Sequence, residues 1–243
     1  MKNNLKYVIV GVAIVVSAWL LGRAYTSKYR SQDTVVVTGL GETEFESDLI
    51  VWNGEISCST QNVASGYAQL EHDKQMVLEF ITSRGIPAES VVFRFVNVNR
   101  ETEPVYNANG NYTGSRFVGY RLSQSFTVES SDVDKVEGIS RDISKLIAQG
   151  VSLDAFNPDY YYTKLDDVKL ALIEQASADA RARAEKIAVN AGAAIGRVAS
   201  ARMGVFQITG ANANEEYSAG GSFNTSSRQK KARNTMRVEY RVK

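Results

Sequence analysis

The chain has 243 residues, 44% hydrophobic and 23% charged, with 28 Lys and Arg against 27 Asp and Glu for a net charge of +1. That balance argues against a nucleic-acid surface, which needs a clustered excess of base. The single cysteine, Cys58, excludes an intrachain disulfide and a cysteine-rich zinc site.

The first segment is an uncharged run at residues 7–22 (YVIVGVAIVVSAWLLG), flanked by Lys6 and Arg23. A bilayer core of about 30 Å asks for roughly 17 to 25 helical residues. Tyr7 and Trp19 at the two interfaces, with Lys6 and Arg23 snorkelling, extend a slightly short span. The run is therefore expected to tether the chain to a membrane. A cleaved secretory signal is the alternative, with Lys2 and Lys6 as its positive start and Gly22-Arg23-Ala24 as its cleavage site; a buried core helix is the other. Lys2 and Lys6 on one side nearly balance Arg23, Lys28 and Arg30 on the other, so flanking charge leaves orientation open. The expected organisation is an anchor or signal segment at residues 1–30 and one domain at residues 31–243, large enough to bury about 70% of its unfolded surface without metal or disulfide.

Residues 34–38 (TVVVT) predict a β-branched strand, broken at Gly39-Leu40-Gly41. Residues 48–61 alternate, with Ile50, Trp52, Ile56 and Cys58 on one face, which predicts a half-buried strand. Asn62 then caps a helix whose inward side carries Val63, Tyr67, Leu70, Val77 and Ile81. Gly85 and Pro87 end it. The only histidine, His72, falls on its polar face. Residues 91–99 and 115–129 predict two strands joined by a turn-rich connection around Asn109-Gly110. A second helix spans 132–149, with Val133, Val136, Ile139, Ile143, Leu146 and Ile147 inward. A short strand lies within 155–163. The longest helix covers 165–191, with Leu165, Val168, Leu172, Ala176, Ala180, Ala184 and Ile187 in one stripe. Its small alanines allow a close neighbour. Strands follow at 196–209 and 235–242. Between them, residues 210–233 are rich in Gly, Asn, Ser and Ala, carry Arg228, Lys230, Lys231 and Arg233, and predict a mobile loop. Hairpins outnumber crossovers, so the expected class is α+β with a mainly antiparallel sheet and helices packed on it.

These pieces resemble the SIMPL-domain family. Val36-Val37-Thr38-Gly39-Leu40-Gly41 resembles its V-x-G-x-G opening. Gly85-Ile86 before Val91-Val92 resembles its turn after the first helix of the domain. Gly119-Tyr120-Arg121, leading into Gln124-Ser125-Phe126-Thr127-Val128, resembles its G-[YF] strand. The most specific stretch is Ala176, Asp179-Ala180, Ala184, Ala188 and Gly192, leading into Ile195-Gly196-Arg197-Val198. The resemblance covers about residues 33–243. Ser47-Asp48 stands where many members have Pro-Asp, which concerns the bend into the strand. The resemblance implies an α+β fold, an envelope location and ring-like or channel-like homo-oligomers. It implies no reaction and no catalytic residues.

The residues themselves agree on that last point. Gly39-Leu40-Gly41 follows a strand, but the third glycine of a dinucleotide loop is missing and a strand follows instead of a helix. Cys58 faces the core while His72 faces solvent, which separates a thiol from its only imidazole. Asp166-Asp167 and Glu215-Glu216 are adjacent acids; neighbours on a helix do not share a face, and no histidine supports either pair as a metal site. No catalytic, cofactor or metal residues are assigned. Tyr160, Tyr161 and Tyr162, with Arg228, Lys230 and Lys231, are the candidate contact residues; core packing is the plainer reading of the tyrosines. The expected function is a non-enzymatic envelope domain at the inner membrane, facing the periplasm and acting through protein contacts, among them its own copies. The rivals are a monomeric module with an apolar ligand pocket, secreted or tethered, and a hydrolase with an unrecognised site.

Overall fold

The computed structural model describes the backbone of residues 2–30, 33–216 and 218–243, and the side chains of residues 10–26, 33–216 and 218–243. Helix α1 (Lys2–Arg30) comes first. Val10, Ile14, Val15, Trp19, Leu20 and Leu21 project from all round it and are exposed. The Arg23 guanidinium lies 5.3 Å from the centre of the Trp19 ring. Among the described residues no helix is long and apolar enough to cross a membrane. The tether expected at residues 7–22 begins at residues 7–9, whose side chains lie outside the described ones.

The remainder runs β1 (Thr34–Glu46), β2 (Leu49–Thr60), α2 (Val63–Thr82), β3 (Val91–Phe93), β4 (Asn97–Tyr106), β5 (Tyr112–Ser130), α3 (Val133–Asp142), β6 (Leu153–Ala155), β7 (Asp159–Tyr161), α4 (Leu165–Asn190), β8 (Ile195–Met203), β9 (Gln207–Gly210), β10 (Ser222–Phe223) and β11 (Gln229–Val242). The fold is α+β. All strand pairs are antiparallel except β9 with β10. The strands divide into two sheets. In the first, β11 is central, with β1 along one side and β8 and β9 along the other. In the second, β2 and β5 are central; β3 and β4 flank β5, and β6 and β7 flank β2.

Each sheet has its own helices and core. Val37, Met236, Val238 and Tyr240 of the first sheet pack on Ala176, Ala180 and Ala184 of α4. Ile50, Trp52, Ile56, Leu122 and Phe126 of the second pack on Leu70, Val77 and Ile81 of α2 and on Val136 and Ile139 of α3. Trp52 and Phe126 meet edge to face at 5.5 Å, and the indole N–H donates to Phe156 O at 3.0 Å.

Several boundaries differ from those read in the sequence. β1 does not break at Gly39-Leu40-Gly41 but runs through to Glu46. A Cβ at Gly39 would overlap the Ala176 carbonyl and lie 2.8 Å from Ala180 Cβ; one at Gly41 would lie 3.1 Å from the Leu172 carbonyl carbon. The glycines are where α4 presses on the strand, not where the strand ends. Residues 196–209 split at Gly204 into β8 and β9. The second predicted helix becomes α3 and a 3-10 stretch, Ile143–Gln149, whose tighter turn keeps Ile143 and Leu146 buried and leaves Ile147, expected inward, exposed. β11 starts at Gln229, so the predicted loop yields its last residues to a strand. In α2, Val63 and Tyr67 are exposed and Gly66 takes the inward place, where a Cβ would lie 2.5 Å from Thr60 Cγ2 and 3.1 Å from Leu122 Cδ1. In α4 the stripe ends on Ala188, and Ile187 is exposed.

Asp73 interrupts the apolar stripe of α2; it is 2% exposed and accepts from Gln69 Nε2 at 2.8 Å. Burial pushes its carboxyl above the ordinary range, against the opposing Gln69 hydrogen bond and His72. A carboxyl that holds its proton more tightly when folded favours folding at low pH. That contribution is lost as pH rises from the unfolded value near 3.8 through the folded one. Asp73→Asn is therefore expected to raise the urea midpoint at about pH 7 relative to wild type, with the gain shrinking toward about pH 3. An equal difference at both pH values would contradict this account.

Candidate interaction site

The two sheets meet where β1 passes into β2. Ser47 N donates to Arg228 O at 3.0 Å and Asp48 N to Tyr161 O at 3.0 Å, while Tyr160 N donates to Thr225 O at 2.7 Å. The Asp48 carboxylate accepts from both N and Oγ1 of Thr163, each at 2.7 Å. The short strand β7 is thereby pinned between β2 and the segment that leads into β11.

The three candidate tyrosines lie at this junction. Tyr160 points into the core of the second sheet, and burial, aided by the Glu137 charge, pushes its phenol above the ordinary range. Tyr161 is half-buried with its ring 6.4 Å from that of Phe223. The Tyr162 ring lies 4.7 Å from that of Phe45. All three rings have partners within the chain.

The basic candidates separate because β11 alternates. Arg228 precedes the strand and crosses the junction. Its Nε donates to Glu46 at 2.5 Å, and its Nη1 donates to Asp134 at 2.6 Å and Glu137 at 3.1 Å. These carboxylates hold the guanidinium well above its ordinary pKa. Lys230 points inward and is fully buried; its Nζ donates to Asn224 O at 2.5 Å and Ser227 O at 2.8 Å. Burial pushes this amine down, with Glu215 and Asp159 opposing. Lys231 points outward and pairs with Glu42 at 2.6 Å and Glu44 at 3.2 Å. Arg233 also donates to Glu42.

Beside Arg228 lies an open cleft of about 500 Å³ whose lining includes Glu46, Ser47, Asp48, Asp132, Asp134 and Arg228. Ser47 Oγ is buried there without a partner among the described residues. The four carboxylates are each engaged: Glu46 and Asp134 by Arg228, Asp48 by Thr163, and Asp132 by Lys135. The arrangement fastens elements together and offers no nucleophile beside a base. Among the described residues no group of His, Cys, Asp or Glu is arranged to hold a metal ion. Cys58 is half-buried and donates to Gly66 O at 3.2 Å. Burial pushes its thiol up, away from the reactive thiolate.

A second feature was hidden in the predicted turn-rich connection. β4 and β5 continue far past the end of β2, whose last pair is Thr60 with Tyr120. Beyond it, residues 101–106 and 112–119 form a two-stranded arm about 20 Å long. Asn107 closes its tip by accepting from Asn109 N and Asn111 N at 3.0 Å, and Gly110 supplies the left-handed residue at φ 77°. At the base, Gly119 adopts φ 151°, where a Cβ would lie 2.8 Å from Thr60 O, and Gln61 Nε2 donates to Val118 O. Both faces of the arm are open. Val105, Tyr106 and Tyr112 are exposed there, the two rings 6.1 Å apart.

The model of the SIMPL family, described as "Protein of unknown function (DUF541)", matches residues 35–243. The chain belongs to the SIMPL family, and the match takes in both sheets, the junction and the arm. No curated protein matches the chain.

Proposed function

We propose that this chain is a membrane-tethered, non-enzymatic module of the cell envelope that works through protein contacts, including contacts with further copies of itself. The observation that carries the reading is the exposed arm. A lone two-stranded ribbon is marginal in water. This one carries Val105, Tyr106 and Tyr112 at its outer end, 41%, 59% and 61% exposed. Apolar and aromatic side chains at the end of a projecting ribbon suit an anchor that is covered on assembly. The tether rests on the run at residues 7–22 and on α1, whose large side chains between Val10 and Leu21 are apolar on every side and uncovered. A helix apolar on every face needs an apolar surrounding. Inner-membrane attachment with the domain in the periplasm is part of the same reading, supported by the envelope location that the family resemblance implies.

The test uses the full chain in detergent micelles, with light scattering coupled to size exclusion over a range of concentrations. A discrete oligomer is expected, and replacing Tyr106 and Tyr112 together by Ser is expected to dissociate it without lowering Tm. A monomer at every concentration would end the self-assembly reading. For the tether, the chain is expected to stay with the membrane fraction after an alkaline wash, and deletion of residues 1–30 to release it. A mature protein found to begin after residue 24 would replace the anchor by a cleaved signal.

A further inference from the structure

β1 is an edge strand, because among the described residues it pairs with β11 alone. Its register with β11 is unbroken from Thr34 to Glu46. At one end Asp33 O accepts from Val242 N at 2.9 Å, and at the other Ser47 N donates to Arg228 O at 3.0 Å. Odd-numbered residues therefore bond to β11, and the even-numbered ones turn their backbone groups to the free edge. That edge is a row of N–H and C=O groups able to pair with another chain.

Helix α4 closes part of the row. Leu40 N donates to Asp179 Oδ2 and Glu42 N to Gln175 Oε1, both at 2.8 Å. The spacing explains the match: four helical residues rise about 6 Å and two strand residues about 6.8 Å, so each i+4 step on α4 meets the next even residue of β1. The Leu40 N–H, with Arg183 in support, holds the Asp179 carboxyl below its ordinary range, as a charged acceptor. The next members of the same row are Arg183 and Ile187. A guanidinium carries no acceptor and an aliphatic chain carries no polar atom, so the row cannot cap Thr38 and Val36. Neither N–H has a partner among the described residues. Beside them lies an open groove of about 600 Å³, lined by Val36, Thr38, Ala182, Arg183, Lys186 and Ile187. Val36 is 47% and Ile187 48% exposed. Arg183 is paired with Asp179, whereas Lys186 has no carboxylate in reach among the described residues.

We propose that the β1 edge at Val36 and Thr38, with this groove, accepts an extended polypeptide segment of alternating apolar and acidic side chains as an added strand. Main-chain bonds to the open edge supply affinity, and the side-chain row of the guest supplies specificity. Acidic guest residues turn to the helix side, where they meet Lys186 and Arg183 at the rim, and the apolar residues between them turn to the other face beside the exposed Val36. A second copy fits worse: antiparallel pairing of two β1 edges about a twofold axis would set Arg183 and Lys186 of each copy against those of the other. This surface is remote in sequence from the arm of β4 and β5, and the proposal stands whether or not the arm self-associates.

The test is fluorescence anisotropy of a short labelled valine–glutamate alternating peptide with the full chain in detergent micelles. Saturable binding is expected, weakened at least about tenfold by Lys186→Glu and by Val36→Pro. Proline removes one outward N–H, which an edge strand tolerates, so circular dichroism is expected to stay unchanged. Should Val36→Pro not fold, backbone N-methylation of the peptide at alternate residues applies the same test from the other side. A valine–lysine peptide is expected not to bind. No binding of the valine–glutamate peptide overturns the proposal. So does binding lost in Lys186→Glu but kept both in Val36→Pro and by the N-methylated peptide, since charge alone would then be the determinant. Peptide-independent dimers broken by Val36→Pro would assign the edge to a second copy and overturn it too.

Discussion

Gly39→Ala is expected to be strongly destabilising, although it adds a single methyl group. The new Cβ would overlap the Ala176 carbonyl oxygen and the Ala180 amide, and would lie 2.8 Å from Ala180 Cβ. Two of these atoms are helix backbone and cannot rotate away, so α4 must lift from β1. Lifting it opens the contact of Ala176, Ala180 and Ala184 with Val37, Met236, Val238 and Tyr240, which is the core of the first sheet. It also pulls Asp179 and Gln175 from the Leu40 and Glu42 amides. Overpacking typically costs 1–3 kcal/mol and occasionally more; a clash against backbone that spreads along a whole interface is expected at about 3 kcal/mol or above. In a chain of this size that lowers Tm by roughly 10 °C. Thermal denaturation of Gly39→Ala against Ala182→Ser, an exposed change on the same helix, measures it. A loss under about 1 kcal/mol would show that α4 does not sit as tightly on β1 as this structure has it.

The same contact explains what was and was not legible in the sequence. The alanine stripe of α4 announces a close neighbour, whereas Gly39 and Gly41 by themselves read as a strand break. Each is half of one feature, and the halves lie more than a hundred residues apart. Glycine in a strand has two meanings, an end or a close approach, and only the partner decides between them. Period-two and period-3.6 patterns identified β2, β5, α2, α3 and α4, because each has one face against a core. The arm of β4 and β5 has no buried face, so Glu101, Thr102, Glu103 and Pro104 carry no alternation and read as loop. The start of β11 was hidden by Lys230. An inward lysine breaks the apolar pattern, and nothing local tells that Asn224 and Ser227 carbonyls hold its amine. The tyrosine strand and Arg228 were legible as unusual residues, yet the rings and carboxylates they meet come from distant parts of the chain. The open edge of β1 depends on a fourfold step in α4 running beside a twofold step in β1. That relation is written in the sequence, but it becomes readable only once the two elements are known to be neighbours.

Arg228→Ala is expected to loosen the joint between the two sheets. The guanidinium links Glu46 at the end of β1 to Asp134 and Glu137 on α3, across sequence separations of 182, 94 and 91 residues. The Arg228 side chain is 29% exposed and that of Glu137 21%, whereas Asp134 is open to water at 81%. The Asp134 pair should therefore contribute little, as exposed pairs do at about 0.2–1 kcal/mol. The Glu137 pair contributes more, because that carboxylate is the least exposed of the three, while Glu46 at 48% adds only an exposed pair's share and Glu137 keeps Arg141 when the cation is removed. A total of about 2 kcal/mol is the expected loss, part of it recovered in high salt, where screening weakens the repulsion among the remaining acids. Arg228→Lys is expected to fall between the two, since one ammonium cannot span three carboxylates as a planar fork does. The decisive measurement is a double-mutant cycle with Glu137→Gln in urea denaturation. A coupling energy of about 1 kcal/mol or more identifies Arg228 as the fastener of the junction. Independent effects would mean that the sheets are held by β7, through Tyr160, Tyr161 and the Asp48–Thr163 bonds, with Arg228 merely lying across the seam.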